Sequence, residues 1–150
     1  MRAVLQRVSR ASVTINKKKI RSIGPGFLVF LGISPEDRDE DIQWLTSKIS
    51  DMRIFSDETG KMNCSVREIE GEILLVSQFT LFASTRKGNR PSFSRSADPK
   101  MALPLYNQFI TDLRRKSDRP VKTGEFGAHM DVELCNDGPV TIIIDSQNRE

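Results

Sequence analysis

Two short polar runs interrupt apolar stretches of this chain: Ser77-Gln78-Phe79-Thr80, which follows Ile73-Leu74-Leu75-Val76, and Asn136-Asp137-Gly138-Pro139, which lies between residues 132–134 and 140–144. Buried polar groups need partners, so Ser77, Gln78 and Thr80 either satisfy neighbouring backbone or line a pocket. The hydroxyls of Ser77 and Thr80 suggest a serine or threonine esterase, but such a nucleophile needs a general base. The chain has one histidine, His129, and no G-x-S-x-G elbow frames a serine.

Whole classes of chemistry fall away on counts. One histidine and two distant cysteines, Cys64 and Cys135, cannot build a Cys/His zinc site, and no other metal pattern is visible. Neither cysteine belongs to a Cys-x-x-Cys pair, and both sit in alternating apolar stretches, so buried reduced thiols are expected. There is no G-x-G-x-x-G and no Walker sequence. No cofactor is expected.

Charge is more informative than its net value of +3. No acidic residue precedes Glu36, while Arg2, Arg7, Arg10, Lys17, Lys18, Lys19 and Arg21 are all basic. A second acid-free stretch, residues 73–97, carries Arg86, Lys87, Arg90 and Arg95, and a third basic group is Arg114-Arg115-Lys116 with Arg119 and Lys122. This segregation suits a polyanion-binding face as well as a solvated surface. A basic, noncatalytic nucleic-acid-binding module would explain the charge, though not the Gly138-Pro139 interruption.

These residues must be held by a fold that 150 residues, 37% of them hydrophobic, can build as one domain over residues 1–150. Residues 3–8 and 13–15 alternate apolar and polar, and the polar turn at 16–19 returns the chain through 20–23, an antiparallel meander. Phe27-Leu28-Val29-Phe30-Leu31 is apolar on both faces, as in a covered central strand. Ser34-Pro35-Glu36-Asp37 reads as a cap before Ile42, Leu45, Ile49 and Met52 at helical spacing. The lone Trp44 sits beside that stripe and reads as packing. Residues 53–55 suggest a short strand, residues 61–66 are irregular, and residues 73–82 read as one buried strand with polar interruptions. Asp98-Pro99 caps a second helix whose apolar face is Ala102, Leu105, Tyr106, Phe109, Ile110 and Leu113, with a start or bend expected near Pro104. Two last strands, 132–134 and 140–144, flank the Asn136–Pro139 segment as a turn. The expected fold is α/β: a layered β/β/α arrangement of mostly antiparallel sheet with two main helices. Arg2 and Arg7 precede any signal-peptide core, and no apolar run nears the ~20 residues that span a bilayer, so a cytoplasmic protein without a membrane partner is expected.

Residues 1–8 (Met-Arg-Ala-Val-Leu-Gln-Arg-Val), Gly60-Lys61-Met62-Asn63, residues 76–81, residues 86–94, Phe126-Gly127-Ala128 and residues 136–141 together resemble the D-aminoacyl-tRNA deacylases over essentially the whole chain. The resemblance implies an enzyme that hydrolyses the ester between a D-amino acid and the terminal adenosine of tRNA, a chiral proofreading activity. It also implies a homodimer in which Gly138-Pro139, joined by a cis peptide bond, reaches into the partner's active site. X-Pro bonds are cis in only about 5–6% of cases, and the residues alone read as a turn.

By the same resemblance, Phe79 and Thr80 line the reacting centre, Ser77 and Gln78 order the substrate pocket, and Arg7 braces the Gly-Pro segment. Met130 walls the amino-acid side, although a Met after Gly127-Ala128-His129 reads equally well as core packing. Arg86, Lys87 and Arg90 are implied to contact acceptor-stem phosphates. His129 lies outside the family's motifs. Rejection of L side chains by rigid backbone cannot detect a missing side chain, so glycyl-tRNA is expected as a substrate beside D-aminoacyl-tRNA. With no Ser-His-Asp set in view, an acyl-enzyme is discounted in favour of water attack assisted by the RNA's own 2′-hydroxyl.

Overall fold

The structure is a computed structural model that describes residues 1–149. Strand β1 (Arg2–Ile15) is long enough to serve several neighbours. It pairs antiparallel with β8 (Met130–Asp145) along its whole length, so β2 (Lys19–Ile23) and β3 (Gly26–Gly32) share its other edge, β2 against residues 11–15 and β3 against residues 2–8. From β3 the sheet continues in parallel through β6 (Glu72–Ser77) to β7 (Val121–Thr123). A separate hairpin joins β4 (Phe55–Ser56) and β5 (Met62–Cys64), so part of the stretch read as irregular is a strand.

The central strands are covered on both faces because their side chains alternate between two cores. Phe27, Val29, Leu31, Ile73 and Leu75 face helices α1 (Asp39–Asp51) and α2 (Pro99–Ser117), where Ile42, Leu45, Ile49, Tyr106, Phe109 and Leu113 meet them. Leu28, Leu74 and Val76 face the other way, onto Val8, Val13, Ile15 and Ile23 from the far ends of β1 and β2. This is the β/β/α layering expected from the sequence. The sheet is antiparallel around β1 and parallel only across β3, β6 and β7.

Several local expectations are corrected. Helix α1 starts at Asp39, five residues after Ser34: Asp37 turns back to accept the Ser34 N–H at 2.7 Å and takes the buried N-terminal ammonium, so its carboxylate is not free to cap. The Asp41 carboxylate instead accepts the Arg38 N–H at 2.9 Å. Helix α2 continues through Pro104; the ring removes one i→i−4 bond, and the carbonyl left without it belongs to Lys100, an exposed residue in the first turn that water can serve. The strand expected over residues 73–82 stops at Ser77, and Phe79–Phe82 form one 3-10 turn. The two last strands are one strand, with Asn136–Pro139 carried inside it. Both cysteines are free, and half-buried rather than buried. Trp44 packs against the helical core, with the Arg149 guanidinium 4.8 Å from its ring centre.

Candidate functional site

Parallel strands end together, and the carboxyl end of β6 opens into a cleft of about 620 Å³. Ser77, Gln78 and Phe79 line one side, and Phe93 with the start of α2 (Ala97, Asp98 and Pro99) lines another. Residues 126–130, leading into β8, close it with Met130 as a wall. Phe79 is 54% exposed and meets Phe93 edge-on, ring centres 5.1 Å apart, a large apolar surface presented at the mouth. Tyr106 lies beneath, its hydroxyl donating to Leu75 O at 3.2 Å and its ring 5.7 Å from Phe126. Burial pushes that phenol well above the ordinary tyrosine range, so it serves as a fixed neutral donor.

The 3-10 turn after β6 exists because the ladder runs out: Gln78 N–H still bonds Leu31 O at 2.8 Å, and Leu81 N–H then turns back to Gln78 O at 3.2 Å. The N–H groups at the start of such a turn have no partner within it. Among the described residues, neither the Phe79 nor the Thr80 N–H finds an acceptor. The Thr80 hydroxyl is taken by the Gln78 side-chain amide. Thr80 is half-buried beside the cleft and does not line it.

Gly138 and Pro139 lie elsewhere, exposed on β8. Gln6 pairs with Thr141 and Val8 with Asn136, so four residues, Asp137 to Val140, stand opposite Arg7 alone and must bulge from the sheet. The Gly138–Pro139 peptide is cis, and Gly138 has φ +138°, where a Cβ would lie 2.7 Å from the Val140 side chain. Asn136 closes the bulge by accepting the Val140 N–H at 2.9 Å. Arg7, 8% exposed, braces it: Nε donates to Asp137 O at 3.0 Å and Nη1 to Ile54 O at 2.7 Å.

The structure therefore brings Ser77, Gln78, Phe79 and Met130 together around one cleft, and Arg7 with Gly138 and Pro139 in a second place on the same chain. Arg86, Lys87 and Arg90 are exposed at the tip of a tongue closed by reciprocal Ser84–Ser92 backbone bonds of 2.8 and 2.9 Å. Among the described residues none of the three forms an ion pair, whereas Arg2, Arg115 and Lys122 are tied to carboxylates. The tongue's base reaches the cleft through Phe93. His129 stands at the rim, its side chain 74% exposed, with Asp131 3.5 Å away and no serine or threonine on it.

Sequence reasoning missed two things. Asp98 and Pro99 read only as the start of a helix, yet they also line the cleft, with Ala97 beside them. Asn136 read as a turn residue, and its sole signal was an Asn just ahead of Gly-Pro. No group of His, Cys, Asp and Glu suited to a metal occurs among the described residues. Among the described residues no helix is long and apolar enough to cross a membrane.

Residues 4–145 match the family described as D-Tyr-tRNA(Tyr) deacylase. Over 150 residues, all of this chain and all of each relative, the chain is 58% identical to a D-aminoacyl-tRNA deacylase of Cytophaga hutchinsonii and 54% identical to one of Flavobacterium johnsoniae. It is also similar to a solved structure described as c-Myc DNA Unwinding Element Binding Protein, at 44% identity and a TM-score of 0.90, covering 97% of this chain and 98% of that one. A second, described as a probable eukaryotic D-amino acid tRNA deacylase, shares the fold at 20% identity and a TM-score of 0.82, covering 95% of this chain and 97% of that one.

Proposed function

The chain belongs to the D-Tyr-tRNA(Tyr) deacylase family and is a hydrolase acting on D-aminoacyl-tRNA, and from that premise we propose a chiral deacylase whose cleft is completed by the Gly138-Pro139 bulge of a second copy. The observation that carries this reading is a separation. Residues lining the cleft and the exposed Gly-Pro bulge lie in different places on one chain, and the bulge is buttressed from within by Arg7 and Asn136. Such bracing is costly for a solvated loop and useful for a probe that must keep its shape inside a homodimeric partner.

In the proposed site the aminoacyl ester of the 3′-terminal adenosine enters the cleft with its carbonyl oxygen near the Phe79 and Thr80 N–H groups. A water attacks the carbonyl carbon, helped by the vicinal 2′-hydroxyl. Charge moves to the carbonyl oxygen, where the two unpartnered donors stabilise it. The ester C–O bond then breaks, a proton returns to the ribose oxygen, and tRNA and free D-amino acid leave. No side-chain nucleophile is required, and Thr80 supports the turn through Gln78. Carbonyl oxygens of the rigid bulge take the substrate's α-ammonium, and an L side chain collides with them. Glycine has nothing to collide, so glycyl-tRNA is cleaved too. Ser77 and Gln78 fix the polar end of the pocket, while Arg86, Lys87 and Arg90 contact phosphates, which act on affinity and orientation rather than on chemistry. A noncatalytic nucleic-acid module does not account for the family membership, and a histidine-based esterase lacks the needed contact, because the only histidine meets Asp131.

The test is single-turnover hydrolysis of matched D-tyrosyl-tRNA and L-tyrosyl-tRNA, with a Gly138→Ala/Pro139→Ala variant alongside. Fast D-selective release that the variant loses is expected. Mixing that variant with one disabled in the cleft should restore part of the activity if the bulge acts across subunits. Release undiminished by the double substitution would remove the Gly-Pro part of the reading.

A further inference from the structure

Gly124 follows β7 directly, and its backbone is held on both sides. Its N–H donates to Leu75 O at 2.9 Å. The Arg21 guanidinium donates to Thr123 O, to Thr123 Oγ1 at 3.0 Å and to Gly124 O at 3.4 Å. Unlike Gly26, Gly60, Gly88, Gly127 and Gly138, Gly124 is not at positive φ, so its backbone does not call for glycine. What calls for it is space. A Cβ there would lie 2.5 Å from Met130 Sδ and 3.4 Å from Met130 Cε, with Val76 Cγ1 at 3.8 Å. The thioether of a cleft-lining methionine occupies the volume that any other residue at 124 would fill.

We propose that Gly124 is a positioning residue for the substrate site: its missing side chain lets Met130 lie back against the end of β7, which sets how much of the cleft is open to the aminoacyl-adenosine end of tRNA. The proposal rests on the reading of that cleft as the substrate site. A methyl group at 124 cannot be absorbed by backbone tied to Leu75 on one side and Arg21 on the other. Met130 is the flexible partner and must move. Val76 and Val132 pack beside it in the second core, so the direction left to it is into the cleft. A misplaced methyl in an apolar pocket changes recognition by about tenfold or more.

Two readouts on Gly124→Ala test this, one of them independent of activity. With methionine methyl groups labelled, the Met130 Cε resonance, assigned by its loss in Met130→Ala, should shift while the other methionine signals stay. In single-turnover deacylation of D-tyrosyl-tRNA, half-saturation should rise about tenfold with the limiting rate largely kept. The double variant Gly124→Ala/Met130→Ala should return to the half-saturation of Met130→Ala alone, since the clash is gone. An unmoved Met130 methyl overturns the proposal whatever the activity. So do losses that multiply independently, or a fall confined to the limiting rate. If Gly124→Ala fails to fold, a folded double variant upholds the steric relationship and an unfolded one overturns it. Wild-type protein inert on D-tyrosyl-tRNA would instead defeat the functional reading, leaving the methyl shift to decide the contact.

Discussion

Asn136 Oδ1 accepts the N–H of Val140 at 2.9 Å, bridging the two residues that enter and leave the Gly-Pro bulge. Its amide nitrogen sits 3.3 Å from Thr141 Oγ1, so one side chain replaces ladder bonds that the bulge removes from β1. Val140 is buried, and an unsatisfied N–H there costs about 1–3 kcal/mol. Asn136→Ala should therefore lower the unfolding free energy by that order and loosen the bulge. D-tyrosyl-tRNA deacylation should fall more than tenfold while tRNA binding at low salt persists. Chemical denaturation and single-turnover rates on the same preparation check both parts, and a rate equal to wild type would show that the bulge needs no closure.

Arg7 tests whether charge or geometry braces the same segment. Its guanidinium spans two acceptors, Asp137 O through Nε and Ile54 O through Nη1, which a single ammonium cannot reproduce. Arg7→Lys keeps the charge beside Asp137 yet loses one of the bonds. Activity is expected to fall roughly tenfold to a hundredfold, with D over L preference reduced, since a looser bulge discriminates less. Retention of full activity and chirality in the lysine variant would mean that the ion pair with the Asp137 carboxylate, whose Oδ2 lies 3.2 Å from Arg7 Nε, suffices.

Much of this was legible because it repeats locally. Alternation marked β1, the double-sided apolar run marked β3, and Asp98-Pro99 marked the cap of α2, although Pro104 left a later start or a bend open that the helix does not show. The 3-10 turn at Phe79 was not legible, because Leu81 and Phe82 continue the apolar pattern of β6 and only the loss of a pairing partner ends the strand. Nor was the continuous β8, since Asp137-Gly138-Pro139 is a turn signal at short range and becomes a bulge only when β1 pairs on both sides of it. The later start of α1 had the same origin, because Asp37 is claimed by the chain's own N-terminus, 36 residues away. The grouping of Ser77, Gln78, Phe79 and Met130 around one cleft followed from the family resemblance. Gly124 carried no sequence signal, as its purpose is a side chain six positions on.

His129 is the cheapest discriminator of mechanism. Its side chain is 74% exposed and lies 3.5 Å from Asp131, itself exposed. His129→Ala should leave the limiting deacylation rate within about threefold of wild type, far from the several orders lost with a general base. Thr80→Ala should likewise cost only modestly, through the lost Gln78 contact. Near-complete inactivation by either substitution would restore the esterase mechanism.

Glu72 links the pH dependence of stability to one carboxylate. Its Oε2 accepts the Gly24 N–H at 2.7 Å and its Oε1 meets Lys122 Nζ at 3.0 Å, while Lys122 also reaches Ser22 O at 2.6 Å. The backbone bond from Gly24 foremost, then Lys122, holds the Glu72 carboxyl below its ordinary value of 4.5 against the pull of burial. A depressed folded value means that the ionised form favours the folded state. The contribution is full above the unfolded value of 4.5 and drains away as pH falls through the lower folded one. Glu72→Gln should therefore melt below wild type at pH 7, and the two melting temperatures should converge as the pH is lowered past 4.5. A gap that stays constant from pH 7 down into the acid range would show that the Glu72 bonds act through shape alone and that its charge contributes nothing to folding.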